Sequence, residues 1–117
     1  MVRRLLGAAV LAGVLALPLP AWGHGCMASF YGGGEKLNRH TANGEVFRAS
    51  GLTAAHRSFR FGTKVRVTRG KHSVVVRIND RGPHRSTGRC IDLSRAAASR
   101  LGMIRSGVAR VRIQVIK

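Results

Sequence analysis

Hydrophobic and polar residues alternate in three stretches of the C-terminal half, with the two-residue period of a strand that buries one face. "TKVRVT" sets Val65 and Val67 against Lys64, Arg66 and Thr68. "RGKH" reads as a turn, and "SVVVRIND" as the return strand with Val74, Val76 and Ile78 on one side. "ARVRIQVI" repeats the pattern, Val111, Ile113 and Val115 facing one way, Arg112 and Gln114 the other. One segment changes period: "SRAAASRLG" offers Ser94 as an N-cap, alanines that favour helix, and Gly102 for the left-handed position after the last turn. "YGGGEKLNRHTANGE" is dense in glycine and turn residues and reads as loop. Several short strands with one or two short helices predict a mainly β domain, closed or nearly closed into a barrel so that strand edges are not left exposed.

The first residues follow another pattern. "MVRR" is cationic, "LLGAAVLAGVLALPLP" is apolar, and "AWG" supplies small residues, which is the layout of a secretory signal peptide. Cleavage after Gly23 predicts a leader over residues 1–23 and one domain over 24–117. The apolar run before Pro18 covers 13 residues, short of the ~20 that a spanning helix needs. Membrane attachment is therefore expected only if the leader is retained or Cys26 is lipidated, and the domain is expected to be exported to the periplasm or cell envelope. The exported chain of 94 residues (117 − 23) has a small core. Its two cysteines, Cys26 and Cys90, are expected to pair in an oxidising compartment, closing a loop worth ~4 kcal/mol. A lipid on Cys26, prompted by Gly25 just before it, is the competing reading.

Charge narrows the partners. The chain carries 21 Lys and Arg against 4 Asp and Glu, a formal +17. Losing Arg3 and Arg4 with the leader leaves +15 (17 − 2). Such a field attracts polyanions, and outside the cytoplasm these are wall polymers or anionic headgroups. No nucleic-acid motif accompanies the charge, so no specific nucleic acid is expected. His24 at a new N-terminus is too weak a signal for copper, and neither metal nor cofactor is expected.

Few carboxylates are available for chemistry. Glu35 lies in the glycine loop and reads as solvated. Glu45 follows the turn "TANG". Asp80 ends a strand in "NDRGP", between Arg77 and Arg81. Asp92 precedes the helix in "IDLS", where capping or an internal hydrogen bond is its structural role. Opposite charge close by holds a carboxylate ionised, whereas a general acid must carry a proton. Alternation sends Asp80 and Arg81 to opposite sides, and Gly82-Pro83 turns the chain away, which leaves Asp80 free to enter a partly dry cleft.

"ASFYGG", "RHTANGEVF", "LTAAHRSFRFGTKVRVT" and "SVVVRINDRGPHRSTGRCIDLSRAAASRLGM", in this order and spacing, resemble the rare lipoprotein A (RlpA-like) family over about residues 26 to 116. The resemblance implies a six-stranded double-psi β-barrel, akin to barwin and expansin barrels. It also implies a lytic transglycosylase that cleaves the MurNAc–GlcNAc β-1,4 bond of peptidoglycan glycan strands. The product would end in 1,6-anhydro-MurNAc, preferably from peptide-free strands. Carried over residue by residue, the glutamate of the family's "NGE" turn is Glu45, the histidine of "TAAH" is His56 and the aspartate of "NDRGP" is Asp80. Asp80 is expected to act as acid and then base, Glu45 to support charge, and His56 to orient substrate or Asp80. Tyr31 is expected to stack on a sugar, and Thr41, Asn43, Arg81 and Asp92 complete the expected substrate-binding set. Two positions depart from the family pattern: Arg48 stands where a second acidic residue is usual, and Phe30 replaces a Trp. The larger relatives carry a C-terminal glycan-binding SPOR domain, which is not expected here, and a monomer is. A non-catalytic, expansin-like wall-binding module is the alternative that Arg48 favours.

Overall fold

A computed structural model describes residues 23–32, 37 and 39–117. The expected leader lies outside these residues except for Gly23, and so does Glu35. Six strands follow in order: β1 (His24–Tyr31), β2 (Thr53–Ala55), β3 (Lys64–Arg69), β4 (His72–Asp80), β5 (Ile91–Ser94) and β6 (Val108–Ile116). One α-helix, α1 (Arg95–Arg100), sits between β5 and β6. The strands close into a barrel in the order β1-β5-β2-β4-β3-β6, with β1/β5 and β2/β4 parallel and the other pairs antiparallel. Closure gives every strand two neighbours and abolishes edges.

The alternating runs become the barrel wall. Val65, Val67, Val74, Val76 and Ile78 point inward, together with Ile91 and Leu93 of β5, Ala109, Val111 and Ile113 of β6. Val115 keeps the phase, since it pairs with Val65, but it is 40% exposed. It stands next to the end of β6, where the barrel leaves it uncovered. The β3–β4 turn is a two-residue hairpin, Arg69 pairing with His72. Its Gly70 has φ 59°, the left-handed backbone that such hairpins require. Helix α1 starts at Ser94, whose Oγ accepts from the Ala97 N–H and donates to the Gly51 carbonyl at 2.6 Å. Gly102 follows the helix with φ 67°, and Ala97, Ala98, Leu101 and Met103 are fully buried.

Two features position the functional end. A register shift separates the pairs Ala54–Ile78 and Ala55–Asp80, leaving Asn79 as the extra residue of a β-bulge. Alternation stops there: Asn79 is buried beside buried Ile78, and Asp80 emerges half-buried at the barrel mouth. Cys26 of β1 is bonded to Cys90, with Cα atoms 6.0 Å apart, and the Cys90 N–H donates to the Met27 carbonyl at 2.9 Å. This bond uses the Cys26 thiol, so the disulfide holds over the lipidated reading. No helix among the described residues is long and apolar enough to cross a membrane.

Candidate functional site

A cleft of about 640 Å³ opens where the ends of β1 and β4 meet β5 and the loop after β1. Tyr31, Asp80 and Asp92 line it, with Thr41, Phe47 and Arg81 around them. Asp80 is tethered through one oxygen. Its Oδ1 accepts from the backbone N–H groups of Ala42 and Arg81, both at 2.9 Å. That leaves Oδ2 on the Tyr31 side, where the phenol O–H donates over a long 3.4 Å. Asp92 accepts from Ser29 Oγ at 3.0 Å. It does not cap α1, a task that falls to Ser94. Burial pushes the Tyr31 phenol well up, and the charges of Asp80 and Asp92 push it further. Two carboxylates thus flank one phenol that keeps its proton. The Tyr31 ring stacks on Phe47, centroids 4.8 Å apart.

Glu45 stands elsewhere. It lines an adjacent cavity of about 300 Å³ with Arg48, Thr53, Arg77 and Asn79. Arg77 grips it with both guanidinium arms, Nη1 to Oε2 at 2.9 Å and Nη2 to Oε1 at 2.8 Å. Asn79 Nδ2 donates to Oε1 at 2.8 Å and Asn43 Nδ2 to Oε2 at 3.0 Å. These donors, Arg77 foremost, lower the carboxyl to about 2. The positive partner that flanks Asp80 in sequence therefore serves Glu45 in space. Of the two departures from the family pattern, Arg48 lines Glu45's cavity, whereas Phe30 lines the cleft of Asp80 and Asp92.

The turn between the two cavities is built from the "TANGE" residues. Thr41 Oγ1 donates to Asn43 Oδ1 at 2.7 Å, Glu45 N–H donates to the same oxygen at 3.1 Å, and Asn43 N–H donates to the Asn79 carbonyl at 3.2 Å. Thr41 lines the main cleft, whereas Asn43 is spent inside the turn. Asn79 Oδ1 and Thr53 Oγ1 are buried without a hydrogen-bond partner, and both residues border the Glu45 cavity.

His56 meets Asp80 through the main chain, its N–H donating to the Asp80 carbonyl at 3.2 Å. The ring itself lies flat on Phe59, centroids 3.6 Å apart. Nδ1 accepts from the N–H groups of Ser58 and Phe59 at 3.1 and 3.0 Å, which places the proton of the neutral ring on Nε2. Burial, then Arg57 and Arg81, lower its affinity for a second proton. Arg81 turns away from the Asp80 carboxylate: its Nη1 donates to the carbonyls of His56 and Phe59. Phe47 and Arg89, which also line the cleft, carried no sequence signal beyond being one aromatic and one cation among many.

A family model described as lytic transglycolase matches residues 24–113. A probable endolytic peptidoglycan transglycosylase RlpA of Nostoc sp. is 61% identical over 93 residues, covering 77% of this chain and 25% of that protein. The endolytic peptidoglycan transglycosylase RlpA of Pasteurella multocida is 48% identical over 94 residues, covering 78% and 31%. The chain thus spans about a quarter to a third of the length of these curated relatives. Among solved structures, the Streptomyces papain inhibitor superposes with a TM-score of 0.64 at 21% identity, covering 81% of this chain and 96% of its own. The expansin of Clavibacter michiganensis does so with a TM-score of 0.65 at 22% identity, covering 80% and 50%. These two likenesses establish a shared barrel. With 90 consecutive positions (24 to 113) matched and the closed barrel in hand, the chain belongs to the lytic transglycolase family of double-psi β-barrels.

Proposed function

We propose that this domain is an endolytic peptidoglycan lytic transglycosylase acting outside the cytoplasm, with Asp80 as its acid and base. The observation that carries this reading is the cleft in which Asp80 Oδ2 faces Tyr31, with Asp92 beside them. Breaking a glycosidic bond requires a proton for the leaving oxygen and support for an oxocarbenium-like centre. Asp80 Oδ2 gives its proton to the leaving oxygen as the C1–O bond breaks. The sugar's own 6-hydroxyl then bonds to C1, and its proton returns to Asp80. No water is consumed, so one exchanging carboxyl suffices where a hydrolase needs two. Asp92 adds negative charge against the developing cation, and Tyr31 offers an aromatic surface backed by Phe47. Glu45, locked in its ion pair, shapes the Thr41–Glu45 turn that carries the Ala42 N–H to Asp80. His56 braces the strand ends around Asp80 through its backbone and its packed ring.

The test is direct. Peptide-free glycan strands are incubated with the purified domain, and products are read by mass spectrometry for 1,6-anhydro-MurNAc ends. The native domain is expected to release them, and Asp80→Asn to lose about 10³-fold of the activity. Strand binding with no anhydro ends would favour a non-catalytic, expansin-like wall-binding module.

A further inference from the structure

The four phenylalanines of the chain differ in their surroundings. Phe30 and Phe59 pack against the core, and Phe47 stacks on Tyr31. Phe61 does neither. It is 41% exposed, the one aromatic among the large exposed hydrophobic side chains of the described residues. Its position is nonetheless fixed. The turn that carries it is closed by the Thr63 N–H, which donates to the Arg60 carbonyl at 3.1 Å. Two bonds hold that turn to β4: the Gly62 N–H donates to the Ile78 carbonyl at 2.8 Å, and the Ile78 N–H to the Thr63 carbonyl at 2.9 Å. Over one face of the ring sits Arg81, its guanidinium carbon 3.9 Å from the ring centre. Arg81 is itself anchored, its Nη1 donating to the carbonyls of His56 and Phe59 at 3.2 and 2.7 Å. The Arg81 main-chain N–H meets Asp80 Oδ1, and the residue borders the cleft. One residue thus spans from the carboxylate of Asp80 to the ring of Phe61. A ring left in water forgoes part of the free energy of burial, but an ordered flat ring beside a cleft offers a surface that no aliphatic side chain can.

We propose that Phe61 is a sugar-stacking position, which holds the glycan strand on the far side of Arg81 from the cut. The proposal rests on the glycan reading given above. β-1,4-linked sugars of the gluco configuration carry their ring substituents equatorially, so both faces of each ring present axial C–H groups. The face of an aromatic ring is the negative end of its quadrupole and attracts such groups. Arg81 occupies one face of Phe61, and the exposed remainder receives the sugar. The turn and the guanidinium hold the ring before the strand arrives, so little ordering is left to be done on binding. Phe61 does not line the cleft, and its task is position. A strand stacked there and passing Arg81 brings a glycosidic bond to Asp80 Oδ2.

All six strands of the barrel lie within residues 24–117, and the chain's one tryptophan, Trp22, precedes them. Phe61→Trp in a protein of residues 24–117 therefore reports from this position alone. Titration with peptide-free glycan strands is expected to shift its emission to shorter wavelength, as the indole leaves water for the sugar. By calorimetry Phe61→Ala is expected to bind the strands about tenfold more weakly, and Phe61→Tyr to stay within about twofold of the native domain. The rate of anhydro-end release at saturating strand should be unchanged in both. Phe61 is exposed and outside the packed core, so these variants fold, with circular dichroism as the control. An unmoved emission overturns the proposal, as does equal affinity of the native domain and Phe61→Ala. A lower saturating rate without a loss of affinity also overturns it, because Phe61 then merely props Arg81. An equal emission shift with poly(glycerol phosphate), which has no sugar ring in its backbone, overturns the sugar assignment in favour of charge. Stacking without anhydro ends removes the transglycosylase reading alone, and anhydro ends without the emission shift remove the stacking position alone.

Discussion

Replacing Glu45 with Gln asks which carboxylate moves the proton. Arg77 holds both Glu45 oxygens, Asn79 and Asn43 add one donor each, and the carboxyl is lowered to about 2. At an assay pH of about 6 such a group is protonated in roughly one molecule in 10⁴, a factor of ten for each unit of distance. A proton donor with that occupancy would give up about four orders of magnitude before any chemistry began. Glu45→Gln is therefore expected to lose only about threefold to tenfold of the activity, through loosening of the turn that brings Ala42 to Asp80. Asp80→Asn is expected to lose about 10³-fold. The cost in stability is small, because the Arg77 and Glu45 side chains are 40% and 35% exposed and water screens the pair. About 1 kcal/mol is expected. Its pH dependence has a definite sign. The folded carboxyl lies below its ordinary 4.5, so its contribution is whole above that value and is lost as pH falls toward about 2. Glu45→Gln should flatten that acid limb in denaturant titrations. Activity is read as anhydro-MurNAc ends per enzyme, with circular dichroism as the folding control. A Glu45→Gln protein as inactive as Asp80→Asn, yet folded, would falsify the assignment of the proton to Asp80.

Other outcomes follow from the same geometry. Replacing Cys26 and Cys90 together by Ala opens a loop of sequence separation 64 and is expected to cost ~4 kcal/mol, lowering Tm by roughly 15 to 30 °C for a domain of this size. Calorimetry checks it, and a drop below about 5 °C would contradict the loop argument. Tyr31→Phe keeps the stack on Phe47 and drops only the long bond to Asp80, so kcat should fall by about threefold at most. Tyr31→Ala removes the aromatic surface and should raise KM about tenfold, both measured on soluble strands. His56 binds its second proton less readily in the folded chain than at its ordinary 6.5. Its contribution to stability is thus whole above 6.5 and lost as pH falls below that value. Urea midpoints should drop between about pH 7.5 and 5.5 in the native domain, and drop less in His56→Gln.

Local chemistry alone determines much of this protein's fold. The β3–β4 hairpin, the start of α1 at Ser94 and the left-handed Gly102 follow from alternation, capping and glycine's missing Cβ, which act over a few residues. The inward set of β4 and β6 follows from the same period, which falters at the Asn79 bulge and at Val115, where an end of the barrel meets solvent. The motif residues also point to the family, because their order and spacing are written in the chain. What the sequence does not contain is who meets whom. Arg77 neighbours Asp80 along β4 but bonds Glu45, 32 residues away, and Tyr31 reaches Asp80 across a separation of 49. Those encounters depend on barrel closure and on the bulge at Asn79, which sets the phase of the last residues of β4. Tertiary structure alone therefore places Asp80 with Asp92 in one cleft, and Glu45 behind an ion pair in the next. The physical reason is that periodicity specifies a side chain's face, whereas the partner on that face is chosen by strand order and register.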